Sequence, residues 1–235
     1  MSKLLFLDIE WKPATAYVWR MWDENISPAQ LIDAGGMLCF CAIWSDRPKE
    51  VLFYSEWDDG REEMARIAKE LLTESDAVVT YNGDRYDLPK ITGEIVLAGL
   101  SPPPPVTSID LIKTVKKFGF VMNRLAYIGP LLKVGAKMKH EGFDLWKLVM
   151  AGNVKARNRM RKYNIQDVKL LIELYNKIKP FIKTHPHMGH TKTECGACGS
   201  NHSQSRGYRR TKHFLIQRLQ CQNCGSWSEG TRKKV

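Results

Sequence analysis

The chain has 235 residues, 43% of them hydrophobic and 26% charged, which excludes long-range disorder, collagen and a coiled coil as descriptions of the whole. Lys and Arg number 36 against 25 Asp and Glu, a net charge of +11. The excess is uneven: residues 1–182 hold 26 basic and 23 acidic side chains, and residues 183–235 hold 10 and 2.

In chain order, Leu4-Leu5-Phe6-Leu7 opens a first strand over residues 3–10. This apolar stretch meets a charge at Asp8 and lacks the h-region and cleavage site of a signal peptide, and no run approaches the ~18 apolar residues of a membrane span. The expectation is a cytoplasmic protein with no membrane partner. Residues 11–35 show no clear period and carry Trp11, Trp19 and Trp22, for which core or lid packing is expected. Two further strands are predicted at about 36–44 and 49–54, a helix at 60–73 on the spacing of Met64, Ile67, Ala68, Leu71 and Leu72, and a buried strand at 77–81 ending in the turn residues Asn82-Gly83. A helix over 88–99, the stiff Ser101–Pro105 connector, a strand at 106–110 and helical patterns to about residue 180 follow, the strongest spanning Met160 to Ile178. Strands followed by alternating helix and strand define an α/β class, and about 180 residues suffice to bury a core. The domains are read as 1–182, a linker at 183–192 and a small module at 193–235.

Three acidic features fall in order along this frame. Asp8-x-Glu10 ends the first strand, where residues two apart share a face, and two adjacent carboxylates repel unless a cation sits between them. Average composition yields about one such pair by chance in a chain of this length, so the weight lies in its position. Tyr81-Asn82-Gly83-Asp84-Arg85-Tyr86-Asp87-Leu88-Pro89 follows the fourth strand, with Asp87 as a metal ligand or helix N-cap, Asp84 as its competitor, and Asn82 either positioning substrate or shaping the turn. Tyr163-x3-Asp167 lies in the long helix, where residues four apart face the same way. Asp110 ends another apolar strand and reads as a helix cap or a supporting acid. Phosphate-loop, dinucleotide-binding and serine-hydrolase signatures and the helical zinc-protease motif are absent.

Together, Leu7-Asp8-Ile9-Glu10, Tyr81-Asn82-Gly83-x-x-Tyr86-Asp87-Leu88-Pro89 and Tyr163-x3-Asp167 resemble the three exonuclease motifs of the DEDD superfamily, in its DEDDy branch, and the middle block is similar to the proofreading domain of family-B DNA polymerases. The resemblance covers about residues 1–180 and implies a ribonuclease-H-like fold, a mixed five-stranded sheet flanked by helices. It also implies a 3′→5′ exonuclease acting on nucleic acid, most readily DNA with a free 3′ end, through two Mg²⁺ or Mn²⁺ ions. Asp8 would bridge both ions, Glu10 and Asp167 would serve the one that binds the attacking water, Asp87 would serve the other, and Tyr163 would orient that water. Other readings are a non-enzymatic nucleic-acid binder on the same scaffold, or an endonuclease or ribonuclease.

Of the six cysteines, Cys39 and Cys41 share one face of a strand and read as buried free thiols. Cys195-x2-Cys198 and Cys221-x2-Cys224, with 22 residues between the pairs, read as one structural Zn²⁺ site and resemble a zinc ribbon. The intervening Gly207-Tyr208-Arg209-Arg210-Thr211-Lys212-His213-Phe214 interleaves basic and aromatic residues. Arg209 and Arg210 are therefore candidate substrate-binding residues, the alternative being strands with a solvated face. His185, His187 and His190 read as incidental histidines of the linker or as a further metal site.

Overall fold

A computed structural model describes residues 3–139, 141–191 and 193–235; Met1 and Ser2 of the N-terminal reading and Lys192, the end of the expected linker, lie outside them. Five strands, β1 (Leu4–Lys12), β4 (Gly36–Trp44), β5 (Val51–Ser55), β6 (Ala77–Thr80) and β7 (Thr107–Asp110), form one mixed sheet in the order β5-β4-β1-β6-β7. β4 runs antiparallel to β1 and β5, whereas β6 is parallel to β1 and β7 to β6. Between them, β2 (Thr15–Ala16) and β3 (Leu31–Asp33) form a two-stranded ladder apart from the main sheet.

β1 is covered on both faces, which is why it opens as a continuous apolar run rather than an alternating one. Leu5, Leu7 and Ile9 pack with Phe40, Ala42 and Trp44 against Met64 and Ala68 of α1 (Arg61–Glu74) and Ile91 and Ile95 of α2 (Asp87–Leu97). Leu4 and Phe6 point the other way, with Cys41 and Ile43, onto Val168, Leu171 and Leu174 of α6 (Val154–Ile178). Asp8 and Glu10 continue that second face, opposite Cys41 and Cys39 of β4. Both cysteines are fully buried free thiols, as expected, and burial pushes the Cys41 thiol up to about 12.

The short helices α3 (Leu111–Val115), α4 (Leu125–Leu131) and α5 (Phe143–Met150) link β7 to α6. The long helix starts earlier than its apolar period indicates, at Val154, because Asn153 caps it by accepting the Ala156 N–H at 3.0 Å. Residues 11–35 depart more strongly from expectation. β1 continues through a bulge at Glu10/Trp11 to Lys12, and Trp11 packs beneath Lys90, whose Nζ lies 3.5 Å from its ring centre. Trp19 and Trp22 are 94% and 79% exposed, so core packing does not hold for them. Glu24 accepts the backbone N–H groups of Trp19 and Arg20, and this local bonding turns the loop outward with no second layer to bury its rings.

Beyond a single 3₁₀ turn at Lys179–Phe181, β8 (Ser203–Arg210), β9 (Phe214–Cys221) and β10 (Trp227–Lys234) form a separate antiparallel sheet with β9 at its centre. The histidine-bearing segment is not incidental. His185 Nε2 lies 2.7 Å from the Tyr175 hydroxyl on α6, and Met188 enters the main core cluster. A cavity of about 410 Å³ between the two parts is lined by Leu4, Ser45 and Tyr175 on one side and Met188, Cys198 and Asn223 on the other.

A buried ion pair ties α1, α2 and β4 together. Glu94, 3% exposed, accepts the Met37 N–H at 2.9 Å and three hydrogen bonds from the Arg61 guanidinium, which lies so close to Gly36 that a Cβ there would collide with it. Glu94→Ala strands both donors and is expected to cost about 3 kcal/mol of unfolding free energy. Glu94→Gln, which keeps an acceptor, should lose less. Denaturant unfolding of both variants checks the order.

Candidate active site

The carboxylates named from the sequence arrive from three elements. Asp8 and Glu10 stand on the α6-facing side of β1, and Asp167 enters from α6, 2% exposed. Their nearest carboxylate oxygens all lie within 4.8 Å of one another, close enough to share a cation. Asp87, at the first turn of α2, is 4% exposed and adjoins this group, since its Oδ1 accepts the Ile9 N–H at 3.1 Å. It starts its helix rather than capping it; Tyr86 holds the cap position.

Two residues unmarked by any motif complete the surroundings. Lys137, from the loop before α5, places Nζ 2.6 Å from Asp167 Oδ2 and 3.3 Å from the Tyr163 hydroxyl. Asn164, fully buried, donates from Nδ2 to Asp8 Oδ2 at 2.7 Å and to the Asp8 carbonyl at 3.3 Å. The only signal for Asn164 was adjacency to Tyr163. Lys137 stands among Lys133 and Lys139 with nothing to single it out.

The electrostatics follow from crowding acids in a site where Asp8 and Glu10 are half-buried and Asp167 is buried. Burial pushes Asp8 well above the usual carboxylate range, reinforced by the charges of Asp87, Glu10 and Asp167. Burial and then Asp167 raise Glu10 to about 8, and burial raises Asp87 to about 6 against the opposing N–H bond from Ile9. Burial and the Asp167 charge lift the Tyr163 phenol to about 12, so it is a neutral hydroxyl at physiological pH. Burial disfavours the Lys137 charge, but Asp167 more than offsets this and holds the ammonium above its ordinary range.

Asp110 both caps α3, accepting the Ile112 N–H at 3.2 Å, and braces the turn after β6, accepting the Asn82 N–H at 2.7 Å. Asn82 sits at φ +69°, a left-handed conformation that asparagine tolerates better than most residues, and a Cβ on Gly83 would collide with Thr80 at 2.2 Å. The turn that aims Asp87 thus depends on its Asn-Gly pair. Asp84 is drawn away into an ion pair with Lys113. Beside Glu10, a recess of about 340 Å³ is walled by Trp11, Tyr86, Phe143 and Trp146.

At the other end of the molecule, Cys195, Cys198, Cys221 and Cys224 also bring their sulfurs within 4.8 Å of one another, with Sγ–Sγ separations of 3.6 Å for Cys195–Cys224 and 3.7 Å for Cys198–Cys221. A tetrahedron with Zn–S bonds of 2.3 Å has edges of about 3.8 Å, so the four thiols fit Zn²⁺ and a zinc ribbon. Arg209 and Arg210 lie on the neighbouring sheet, on opposite faces because they are consecutive in β8.

A family model for the RNase_H superfamily matches residues 32–179, and the chain belongs to that superfamily. The match takes in Asp87, Tyr163 and Asp167 and begins beyond Asp8 and Glu10. The fold is accordingly ribonuclease-H-like: α/β, with a mixed five-stranded sheet and flanking helices. Among solved structures, a family B DNA polymerase from the hyperthermophilic archaeon Pyrobaculum calidifontis is similar, with a TM-score of 0.57 at 15% identity over 77% of this chain. The chain spans about a quarter of that polymerase, 25% of its length. No curated protein matches. Among the described residues, no helix is long and apolar enough to cross a membrane.

The pH dependence of the ion-free protein follows from the raised carboxylates. Unfolded Glu and Asp titrate near ~4.3 and ~3.9, so the folded site binds protons the unfolded chain has already released. Its contribution to stability is present at acidic pH and is lost as pH rises through about 6 and about 8. The unfolding temperature of magnesium-free protein should fall between pH 5 and pH 8, and added Mg²⁺ or Mn²⁺ should raise it most at pH 8. A profile indifferent to both would contradict the shared-cation geometry.

Proposed function

We propose that the chain is a metal-dependent 3′→5′ exonuclease of the DEDDy kind that hydrolyses phosphodiester bonds of DNA from a free 3′ end, in a catalytic domain spanning 1–182. A linker at 183–192 leads to a zinc ribbon at 193–235 that aids nucleic-acid binding. The observation that carries the reading is the meeting of Asp8, Glu10 and Asp167 within 4.8 Å, on a strand and a helix more than 150 residues apart. Superfamily membership and the polymerase likeness support it.

Oxygen-only donors suit a hard divalent cation. Asp8, Glu10, Asp167 and Asp87 would hold two Mg²⁺ or Mn²⁺ ions, which supply charge neutralisation at the phosphate and an acidified water. The chain's own groups do the positioning. Asn164 holds the Asp8 carboxylate in place through a hydrogen bond to Oδ2. Tyr163, protonated and within reach of Lys137, is a hydrogen-bonding orienter for the attacking water rather than a base. Lys137 supplies the counter-charge on Asp167. The aromatic recess beside Glu10 offers faces on which a terminal base can stack.

Asp8→Ala or Asp167→Ala should raise the barrier by about 4 kcal/mol, roughly a thousandfold in rate, and Tyr163→Phe should slow the reaction roughly a hundredfold. The measurement is release of nucleotides from 5′-end-labelled single-stranded DNA with Mg²⁺ or Mn²⁺, beside 3′-blocked DNA and RNA. Equal turnover of the alanine variants sinks the site assignment. Cutting of the blocked strand points to an endonuclease, preference for RNA to a ribonuclease, and binding without hydrolysis to the scaffold reading. Metal analysis of the purified chain should find one zinc, lost in Cys198→Ser together with Cys221→Ser.

A further inference from the structure

The strand register of the C-terminal sheet sorts its charges by face, which the linear sequence does not show. Residues paired across an antiparallel ladder share a face. Ile216 is opposite Arg209 and Arg232, Gln220 is opposite Gln204 and Trp227, Arg218 is opposite Glu229, and Phe214 is opposite Lys234. Arg206 joins this face through its hydrogen bond to the Gln220 side chain at 3.1 Å. One face therefore carries Arg206, Arg209, Arg218, Arg232 and Lys234 with the exposed rings of Phe214 and Trp227, against a single acid, Glu229. The other carries Arg210 and Lys233. Glu229 is taken up by Arg209 and Arg232, whereas Arg206, Arg218 and Lys234 form no ion pair among the described residues. The Arg218 guanidinium lies 6.0 Å over the Trp227 ring, a cation and a stacking surface presented together.

The position of this sheet adds a second fact. Its cysteine knuckles dock near Leu4, Ser45 and Tyr175, at the end of the main sheet away from the carboxylates. From Tyr163 to Tyr175 is about 18 Å along α6 at 1.5 Å per residue, and from Glu10 to Leu4 about 20 Å along β1. At ~3.4 Å per nucleotide of one B-form strand, the stretch from the carboxylates to the docked knuckles corresponds to five or six nucleotides.

We propose that the face bearing Arg206, Arg218, Trp227 and Lys234 is a remote anchor for a single nucleic-acid strand whose end lies at the carboxylates, so that it contributes only to substrates long enough to bridge the two. This rests on the nuclease reading for the position of the strand's end, and on charge complementarity and exposed rings for the class of partner. Arg210, facing the other way, lies outside the anchor.

The test uses the full chain carrying Asp8→Asn to suppress hydrolysis, with fluorescently labelled single-stranded DNA of 4 and of 25 nucleotides. Arg206→Gln with Arg218→Gln, and separately Trp227→Ala, should each weaken the 25-mer about tenfold and leave the 4-mer unchanged. The arginine pair should also flatten the logarithmic salt dependence of 25-mer binding by about 1.4, at ~0.7 per phosphate contact. Lys212→Gln in the loop between β8 and β9 with Lys233→Gln on the other face, the same charge change, should do neither. Zinc content and unfolding temperature equal to the parent's show that each variant is folded. The proposal is overturned if folded anchor variants bind the 25-mer like the parent, if the 4-mer loses as much, if the Lys212 and Lys233 pair matches them, or if vesicles of anionic lipid bind this face and DNA does not. Absence of hydrolysis by the unmutated chain overturns the nuclease reading alone, because the binding comparison does not use catalysis.

Discussion

Mutual repulsion among the carboxylates at the end of β1 is the constraint on which the rest depends. Three acids whose oxygens lie within 4.8 Å, with a fourth alongside, repel one another when ionised, and the fold must hold them there. It does so with opposing hydrogen bonds and one cation. Asn164 grips Asp8, the Ile9 N–H grips Asp87, and Lys137 reaches in to Asp167. What remains is proton uptake, visible in the carboxylate affinities raised by burial and by one another. Carboxylates kept this close in the face of their repulsion are spaced so that a divalent ion could sit among them.

That arrangement calls for flanking structure that holds its register. β1 is sandwiched, its odd-numbered side chains packed on α1 and α2 and its even-numbered ones on α6, so a one-residue slip would exchange Asp8 for a leucine or isoleucine. The turn after β6 is locked by Asp110, by the left-handed backbone at Asn82 and by the close approach of Gly83 to Thr80. The Glu94–Arg61 pair ties α2, which carries Asp87, to α1 and to the start of β4. The catalytic reading and these structural roles concern the same elements for one reason: side chains that must be placed closely need neighbours that cannot move.

The C-terminal sheet is built on the opposite principle. It is thin and exposed on both sides, with Ile216 and Cys221 the buried side chains of its strands. Its cohesion rests on the four-cysteine cluster and on docking through His185 and Met188. Such a module has surface to offer rather than a pocket, which matches a long flexible polyanion better than a small ligand.

Much of this was legible in the linear chain because it rests on local rules. The alternation and length of apolar runs place the strands of the main sheet and helices α1 and α2 within about two residues, whereas α6 starts six residues before Met160 and the short elements of 11–35 and 111–150 have no such signal. The two-residue spacing of Asp8 and Glu10, the four-residue spacing of Tyr163 and Asp167 and the paired Cys-x2-Cys motifs each impose a shared face or knuckle whatever the tertiary context. What only the three-dimensional structure decided are contacts between residues with no periodic relation. These are Lys137 entering from an irregular loop, Asn164 bonding across to β1, the outward turn that exposes Trp19 and Trp22, and His185 serving as a docking residue. The division of Arg209 from Arg210, and the gathering of Arg206, Arg218 and Trp227, needed the register of three strands, since the face a β residue occupies is set by its partner and by any intervening bulge. Local geometry is written in spacing; long-range pairing is selected by which surfaces can be buried together.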